Sequence, residues 1–488
     1  MIVIDRLTFA YAGSSETVLK DVSAQFHEGE FVLIAGRSGC GKSTLLRAIN
    51  GLIPHFYGGT YSGTVSVDDR DVRKTAPSRL ADLVGIVFQD PENQLVMTNV
   101  ENEMAFGLEN LAVPLKEMKD RVGRYSEYFG LSPLLERFIP ELSGGEKQKV
   151  ALGSVLAMHP KYILLDEPTS QLDTETAALF LEFVSRLNKE MNLCVVLVEH
   201  RLERCLKYAD RVIVIDEGRV VADGPRASVL ACLQEKGLVG ALSKSTSKKV
   251  ERGEVVLSMR GVRFAYDHTD VLSGVDLDLR QGEMVAITGA NGTGKSTLIK
   301  QLNGLLRPSE GTVTILGRDV ASSTTAGLAH EVGYLGQNPN DYLFEETLVG
   351  ELEFTLENLN VEKGEWEERI DWTLRMLDLS SLGGIFPRDL SCGQRERTAL
   401  ASVLVGRPPI LVLDEPTRGL DYWNKMKLGN ALDNLRGEGM SILLVTHDYR
   451  FIAEHATRVF RLSGGRLTEV PLSEIIALAA PDVVVGGA

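Results

Sequence analysis

The chain carries GRSGCGKS at residues 36–43 and GANGTGKS at 289–296, two copies of the spacing GxxxxGK[ST]. An apolar, β-rich run precedes the first copy (FVLIA) and a helix-like run follows it (STLLRAIN), which is the context such a loop requires. Glycines let successive backbone N–H groups curl around a phosphate, and the start of a helix adds positive potential there. The lysine then reaches the terminal phosphates of a nucleoside triphosphate, and the serine hydroxyl binds Mg²⁺. The residues expected in these roles are Gly36, Ser38, Gly39, Gly41, Lys42, Ser43 and Thr44, and in the second copy Gly289, Asn291, Gly292, Gly294, Lys295, Ser296 and Thr297. An ordinary glycine turn can imitate one such motif. Two in register, each with an acidic partner downstream, argue for phosphate chemistry.

Those partners close apolar strands: YILLDEP ends in Asp166 and Glu167, and ILVLDEP in Asp414 and Glu415. The first acid of each pair suits Mg²⁺ coordination, directly or through water, and the second can polarise an attacking water as general base. Further on, LVEH and LVTH set His200 and His447 after another apolar run, where an imidazole can contact a γ-phosphate. A lone histidine there is more often structural; the shared position in both copies argues for function.

The motifs recur because the whole chain is a tandem duplication. Lys42 and Lys295 lie 253 residues apart, whereas Gln89 and Gln337, Ser143 and Ser391, and Asp166 and Asp414 lie 248 apart. The difference arises between NGLIPHFYGGTYSGTV and NGLLRPSEGTV, where the first copy has five extra residues. Two domains are therefore expected, 1–240 and 255–488, joined by a polar Lys/Ser-rich linker over 241–254. Apolar runs such as EFVLIAG and LCVVLVEH alternate with helical segments, predicting an α/β fold with a mostly parallel sheet and phosphate sites at the carboxyl ends of its strands.

The complete set resembles the ATP-binding cassette family across essentially the whole chain. It comprises the FAY aromatic, GxxxxGKS, Gln89 or Gln337, LSGGE or LSCGQ, DEPT, SQLD or RGLD, and the histidine. That resemblance implies two P-loop domains in tandem, each with a helical signature subdomain, working as an ATPase with ATP and Mg²⁺. It implies that Tyr11 and Tyr266 stack on adenine. Gln89 and Gln337 would sense Mg²⁺ and the γ-phosphate, and Asp173 and Asp421 would lie in loops facing the opposite cassette. Members pair head to tail, so one chain would form an intramolecular pseudo-dimer. One site would unite Lys42, Asp166, Glu167 and His200 with Ser391 and Gly393; the other would unite Lys295, Asp414, Glu415 and His447 with Ser143 and Gly145. Cys392 stands where the first signature has Gly144. It removes no donor, so it is nearly neutral with right-handed backbone and costs about 1–2 kcal/mol with left-handed backbone. Both sites are expected to be competent.

The purpose of the hydrolysis rests on weaker signals. The segments FQDPENQLVMTNVENEMAFGLENL and GQNPNDYLFEETLVGELEFTLENL, with NGLIPHFYGG, resemble the energy-coupling factor branch, which drives uptake of vitamins, their precursors or transition-metal ions. The partners so implied are an integral-membrane coupling protein and a small membrane-embedded substrate-binding protein, with this chain peripheral on the cytoplasmic face of the membrane. Leu95, Val96, Met97, Leu343 and Phe344 are candidates for gripping them, against the plainer reading that they are helical-subdomain core. A cassette pair of another importer or exporter, and a soluble twin-cassette factor acting on ribosomes or nucleic acid, are the alternatives. Against the last stand a short linker and a net charge of −15, which disfavour a large nucleic-acid footprint, so no nucleic-acid partner is expected. No apolar run approaches the ~20 residues of a membrane-spanning helix. Five cysteines without a CxxC pair suggest reduced thiols rather than a zinc site or disulfides.

Overall fold

A computed structural model describes residues 1–14, 16–170, 172–239, 253–267 and 269–479. The chain divides into two compact units, Met1–Gly240 and Ala241–Ala488. The expected linker lies outside the described residues apart from Gly253 and Glu254.

The described residues of the first unit form ten strands: β1 (Ile2–Tyr11), β2 (Leu19–Phe26), β3 (Phe31–Ala35), β4 (Gly59–Val67), β5 (Arg70–Asp71), β6 (Val84–Val87), β7 (Tyr162–Asp166), β8 (Cys194–Val198), β9 (Arg211–Asp216) and β10 (Arg219–Pro225). Six of them form a sheet in the order β10-β9-β3-β8-β7-β6, parallel except at the β9–β10 edge. Every residue of β3, β7 and β8 is buried. That is why these strands read as unbroken apolar runs: a sheet with both faces covered needs no polar alternation.

The second unit repeats the arrangement with β11 (Val255–Tyr266), β12 (Thr269–Arg280), β13 (Met284–Thr288), β14 (Glu310–Ile315), β15 (Arg318–Asp319), β16 (Val332–Leu335), β17 (Ile410–Asp414), β18 (Ser441–Val445), β19 (Arg458–Ser463) and β20 (Arg466–Val470). Its six-stranded sheet runs β16-β17-β18-β13-β19-β20.

Each unit also has a four-stranded antiparallel sheet, β2-β1-β4-β5 and β12-β11-β14-β15, which the sequence pattern did not predict. In β1 the apolar Ile2, Ile4, Leu7 and Phe9 turn inward, with register shifts on either side of Leu7. This sheet places the aromatic residue: Tyr11 closes β1, paired with Gly59 on β4.

The helical subdomain packs Val100–Asn110, Leu115–Phe129 and Gly144–Ala157 through Met104, Leu108, Val122, Phe129 and Val155. Leu348–Asn358, Trp366–Met376 and Cys392–Leu404 are the counterparts in the second unit. Both signature helices open on a capping box. The side chains of Ser143 and Ser391 accept from the backbone N–H of Glu146 and Gln394, whose own side chains reach back to the cap.

Candidate phosphate sites at the carboxyl ends of the strands

The phosphate loop of the first unit joins β3 to the helix Lys42–Ile49. Two of its glycines are dictated by space. A Cβ on Gly36 would lie 2.3 Å from the Ile215 carbonyl oxygen, and Gly41, at φ 103°, would put one 2.8 Å from Leu19. Gly289 meets the same constraint, 2.4 Å from the Leu462 oxygen. Lys42 folds back over the loop, its Nζ donating to the carbonyls of Gly36 and Arg37 at 2.9 Å. Lys295 does the same to Gly289 at 2.8 Å and Ala290 at 2.9 Å. In both units the loop thus wraps around its own ammonium group.

Ser43 Oγ donates to Asp166 Oδ1 at 2.9 Å, and Ser296 Oγ to Asp414 Oδ2 at 2.8 Å. Burial, and then the neighbouring Glu167 charge, push the Asp166 carboxyl up to about 6. Burial likewise raises Asp414. A buried acid hydrogen-bonded to a hydroxyl and pressed by a second acid is a donor set that fits a hard divalent cation, which would relieve the repulsion. Ser43 with Asp166, and Ser296 with Asp414, would hold Mg²⁺ there, and the charge neutralisation that such an ion supplies is what phosphate chemistry needs.

Glu167 and Glu415 stand one residue beyond these strands with φ of 49° and 56°, left-handed backbone that a glutamate adopts only at a cost. The same strain at both positions marks a site that the fold holds against its local preference. Each backbone N–H is tied to the next strand, Glu167 to the Val198 carbonyl at 2.9 Å and Glu415 to Val445 at 2.8 Å. The carboxylates face the histidines: His200 Nε2 lies 2.7 Å from Glu167 Oε1, and His447 Nε2 lies 3.3 Å from Glu415 Oε1.

The glutamines reach the acids by different routes. Gln89 Nε2 donates to Glu167 Oε2 at 2.9 Å, whereas Gln337 Nε2 donates to Ser296 Oγ at 3.3 Å and Asp414 Oδ1 at 3.4 Å. Sequence reading missed what holds their loops. Gln94 and Tyr342, 248 residues apart, accept the N–H preceding each glutamine, from Phe88 at 2.9 Å and Gly336 at 2.8 Å. Glu103 then accepts the N–H groups of Val96 and Met97, both at 2.8 Å, and Glu351 accepts that of Glu345. The shared Glu in NEMAF and GELEF was the available signal.

Tyr11 is hydrogen-bonded through its hydroxyl to Thr44 Oγ1 at 3.1 Å and stands edge-on to Tyr57, which belongs to the longer stretch of the first copy. Tyr266 meets Phe264 edge-on and is exposed. Asp173 and Asp421 cap the helices Thr174–Met191 and Tyr422–Gly437. Ser143 and Ser391 are exposed at their helix N-termini. Gly145 and Gly393 abut Thr176 and Asn424, where a Cβ would come within 3.3 and 2.6 Å. Cys392 is the first residue of its helix, and its equivalent Gly144 has open space around the Cβ position. The right-handed alternative for this substitution is therefore the one adopted.

The ABC transporter family model matches residues 19–170 and 272–418, spanning phosphate loop to DEPT turn in each unit. The chain belongs to the ABC transporter family of ATP-hydrolysing proteins. A relative from Methanosarcina mazei, provisionally named an ABC transporter ATP-binding protein, is 36% identical over 97% of this chain and 90% of its own. A similarly named protein from Streptomyces coelicolor is 37% identical over 99% of this chain and 96% of its own. Among solved structures, a ribosome-bound archaeal Pelota and ABCE1 model matches at TM-score 0.70 over 96% of this chain and 79% of that one, at 22% identity, a likeness that shows the fold alone. The ABC ATPase has no helix, among its described residues, long and apolar enough to cross a membrane.

Proposed function

We propose that this ABC ATPase energises a membrane importer of the energy-coupling factor type, taking up a vitamin, a vitamin precursor or a transition-metal ion. In this reading the chain sits peripherally on the cytoplasmic face of the membrane. The observation that carries it is a pair of exposed apolar side chains seven residues beyond each glutamine. Val96 is 63% exposed and Phe344 70% exposed, in loops tied to the acid cluster at one end and to Glu103 or Glu351 at the other. In the second unit Phe344, Leu305, Tyr342 and Phe354 line a groove of about 280 Å³ beside that loop. A surface that moves with the γ-phosphate and presents apolar side chains is what coupling to membrane-embedded helices needs. Leu95 and Leu343, offered from sequence as part of the same grip, are 9% and 2% exposed and belong to the subdomain interior, which leaves Val96, Met97 and Phe344.

At the chemical step, we assign Lys42 and Lys295 to the terminal phosphates. Ser43 with Asp166, and Ser296 with Asp414, would hold Mg²⁺, and Gln89 and Gln337 would report its arrival. Glu167 and Glu415 act as bases on the attacking water, with His200 and His447 as their orienting partners. Ser143 and Ser391, exposed at their helix N-termini, with Gly145 and Gly393 in the first turns behind them, are assigned to the γ-phosphate bound by the opposite cassette.

Charge at the two exposed positions tests the coupling role. Val96→Asp and Phe344→Asp should abolish uptake in cells while leaving ATP hydrolysis by the purified chain intact. Unchanged uptake by both variants would remove this reading.

A further inference from the structure

The two bases differ in what their carboxylate oxygens accept, and beside them the residue just beyond β8 or β18 differs as well. In the first unit that residue is Glu199, 3% exposed. Its Oε1 accepts from the Thr169 N–H at 2.9 Å and from Thr169 Oγ1 at 2.6 Å, and its Oε2 accepts from the His200 N–H at 3.2 Å. Glu199 therefore staples the turn after Glu167 to the backbone of His200. In the second unit the equivalent is Thr446, whose hydroxyl pairs with Thr417 Oγ1 at 2.8 Å and accepts from the Asp448 N–H at 3.2 Å. The His447 N–H donates instead to Glu415 Oε2, at 3.3 Å.

We infer that Glu199 is a positioning residue that makes the first cassette the faster of the two hydrolytic sites, by keeping the His200 backbone amide off the Glu167 carboxylate. This rests on the assignment of Glu167 and Glu415 as bases. Glu167 Oε2 accepts from Gln89 Nε2, a side-chain amide that is free to rotate about its own torsions and so can leave the oxygen to the attacking water. The backbone amide on Glu415 Oε2 has no comparable freedom to leave. A base whose lone pair is held by a fixed N–H must give up that bond, or share it, to orient and deprotonate water. The His–Glu contact follows the same order, closer in the first site than in the second.

The test swaps the residues. In a Glu415→Gln background, where turnover comes from the first site, Glu199→Thr should lower kcat by about threefold or more with trinitrophenyl-ATP affinity within about twofold of its parent. In a Glu167→Gln background, Thr446→Glu should raise kcat by a similar factor. A crystal structure of Glu199→Thr should show the His200 N–H donating to Glu167. Unchanged kcat in both swaps, a loss carried entirely by affinity, or a His200 amide that stays away from Glu167 would each overturn the inference. Should Glu199→Thr fail to fold, Thr446→Glu decides alone. If the two background substitutions do not slow hydrolysis, the assignment of the bases fails; if they do and the swaps have no effect, this inference alone fails.

Discussion

Ser43 and Asp166 are joined by a 2.9 Å hydrogen bond at the point where the phosphate loop meets the strand end β7, and Ser296 and Asp414 repeat it at 2.8 Å. The bond sets a hydroxyl and a carboxylate side by side, and under the assignment proposed above the two would serve as neighbouring ligands for one hard cation.

The protonation of Asp166 follows. Its carboxyl ordinarily titrates near 3.8 and stands at about 6 in the fold, so between those values the folded chain holds more protons than the unfolded one. Ligand-free stability therefore falls as pH rises through that window, and the penalty is complete above pH 6. Asp166→Asn should melt higher than the parent at pH 7 without nucleotide, by up to about 3 kcal/mol, with the difference vanishing below about pH 4. Thermal melts in metal-free buffer across pH 4–8 would read this, and an equal difference at every pH would count against it.

Each base should matter in its own cassette. Glu167→Gln and Glu415→Gln each remove a proton acceptor worth on the order of a hundredfold at its site, so Glu167→Gln should cut total phosphate release to less than half and Glu415→Gln should remove the smaller, second-site share. A single variant with full turnover would mean that its cassette binds without hydrolysing.

The altered signature should be harmless. Gly144 has no atom near the position of an added Cβ, and Cys392 begins a right-handed helix. Cys392→Gly and Gly144→Cys should each leave turnover within about twofold of the parent. The capping serines are a different case. Ser391→Ala removes the oxygen that accepts the Gln394 N–H and should cost about 1 kcal/mol of stability, and under its proposed assignment to a γ-phosphate it should also lower hydrolysis. Melting and phosphate release measured on the same samples separate these effects.

What was legible in the sequence were residues whose spacing alone carries the chemistry. Lys42, Ser43, Asp166 and their copies lie next to unbroken apolar strands, and the fold brings them together as the motif demands. The antiparallel sheets were not legible, because β1 alternates irregularly around Leu7 and its partners β2 and β4 are half-exposed strands without an apolar run. For Leu95 and Leu343 the sequence left a partner grip and subdomain core equally open; the fold buries both, and burial depends on packing against distant segments that no local pattern contains. Glu199 was visible as a letter in LVEH, but its partner Thr169 is 30 residues away on another strand end, and its effect appears only by comparison with Thr446.

The most direct test of the importer reading is to isolate the tagged chain from its host in mild detergent and identify its companions by mass spectrometry. The account predicts an integral-membrane coupling protein accompanied by a small hydrophobic membrane protein, recovered with the parent chain and lost with Phe344→Asp. Recovery of ribosomal proteins or nucleic acid without any membrane protein would contradict it.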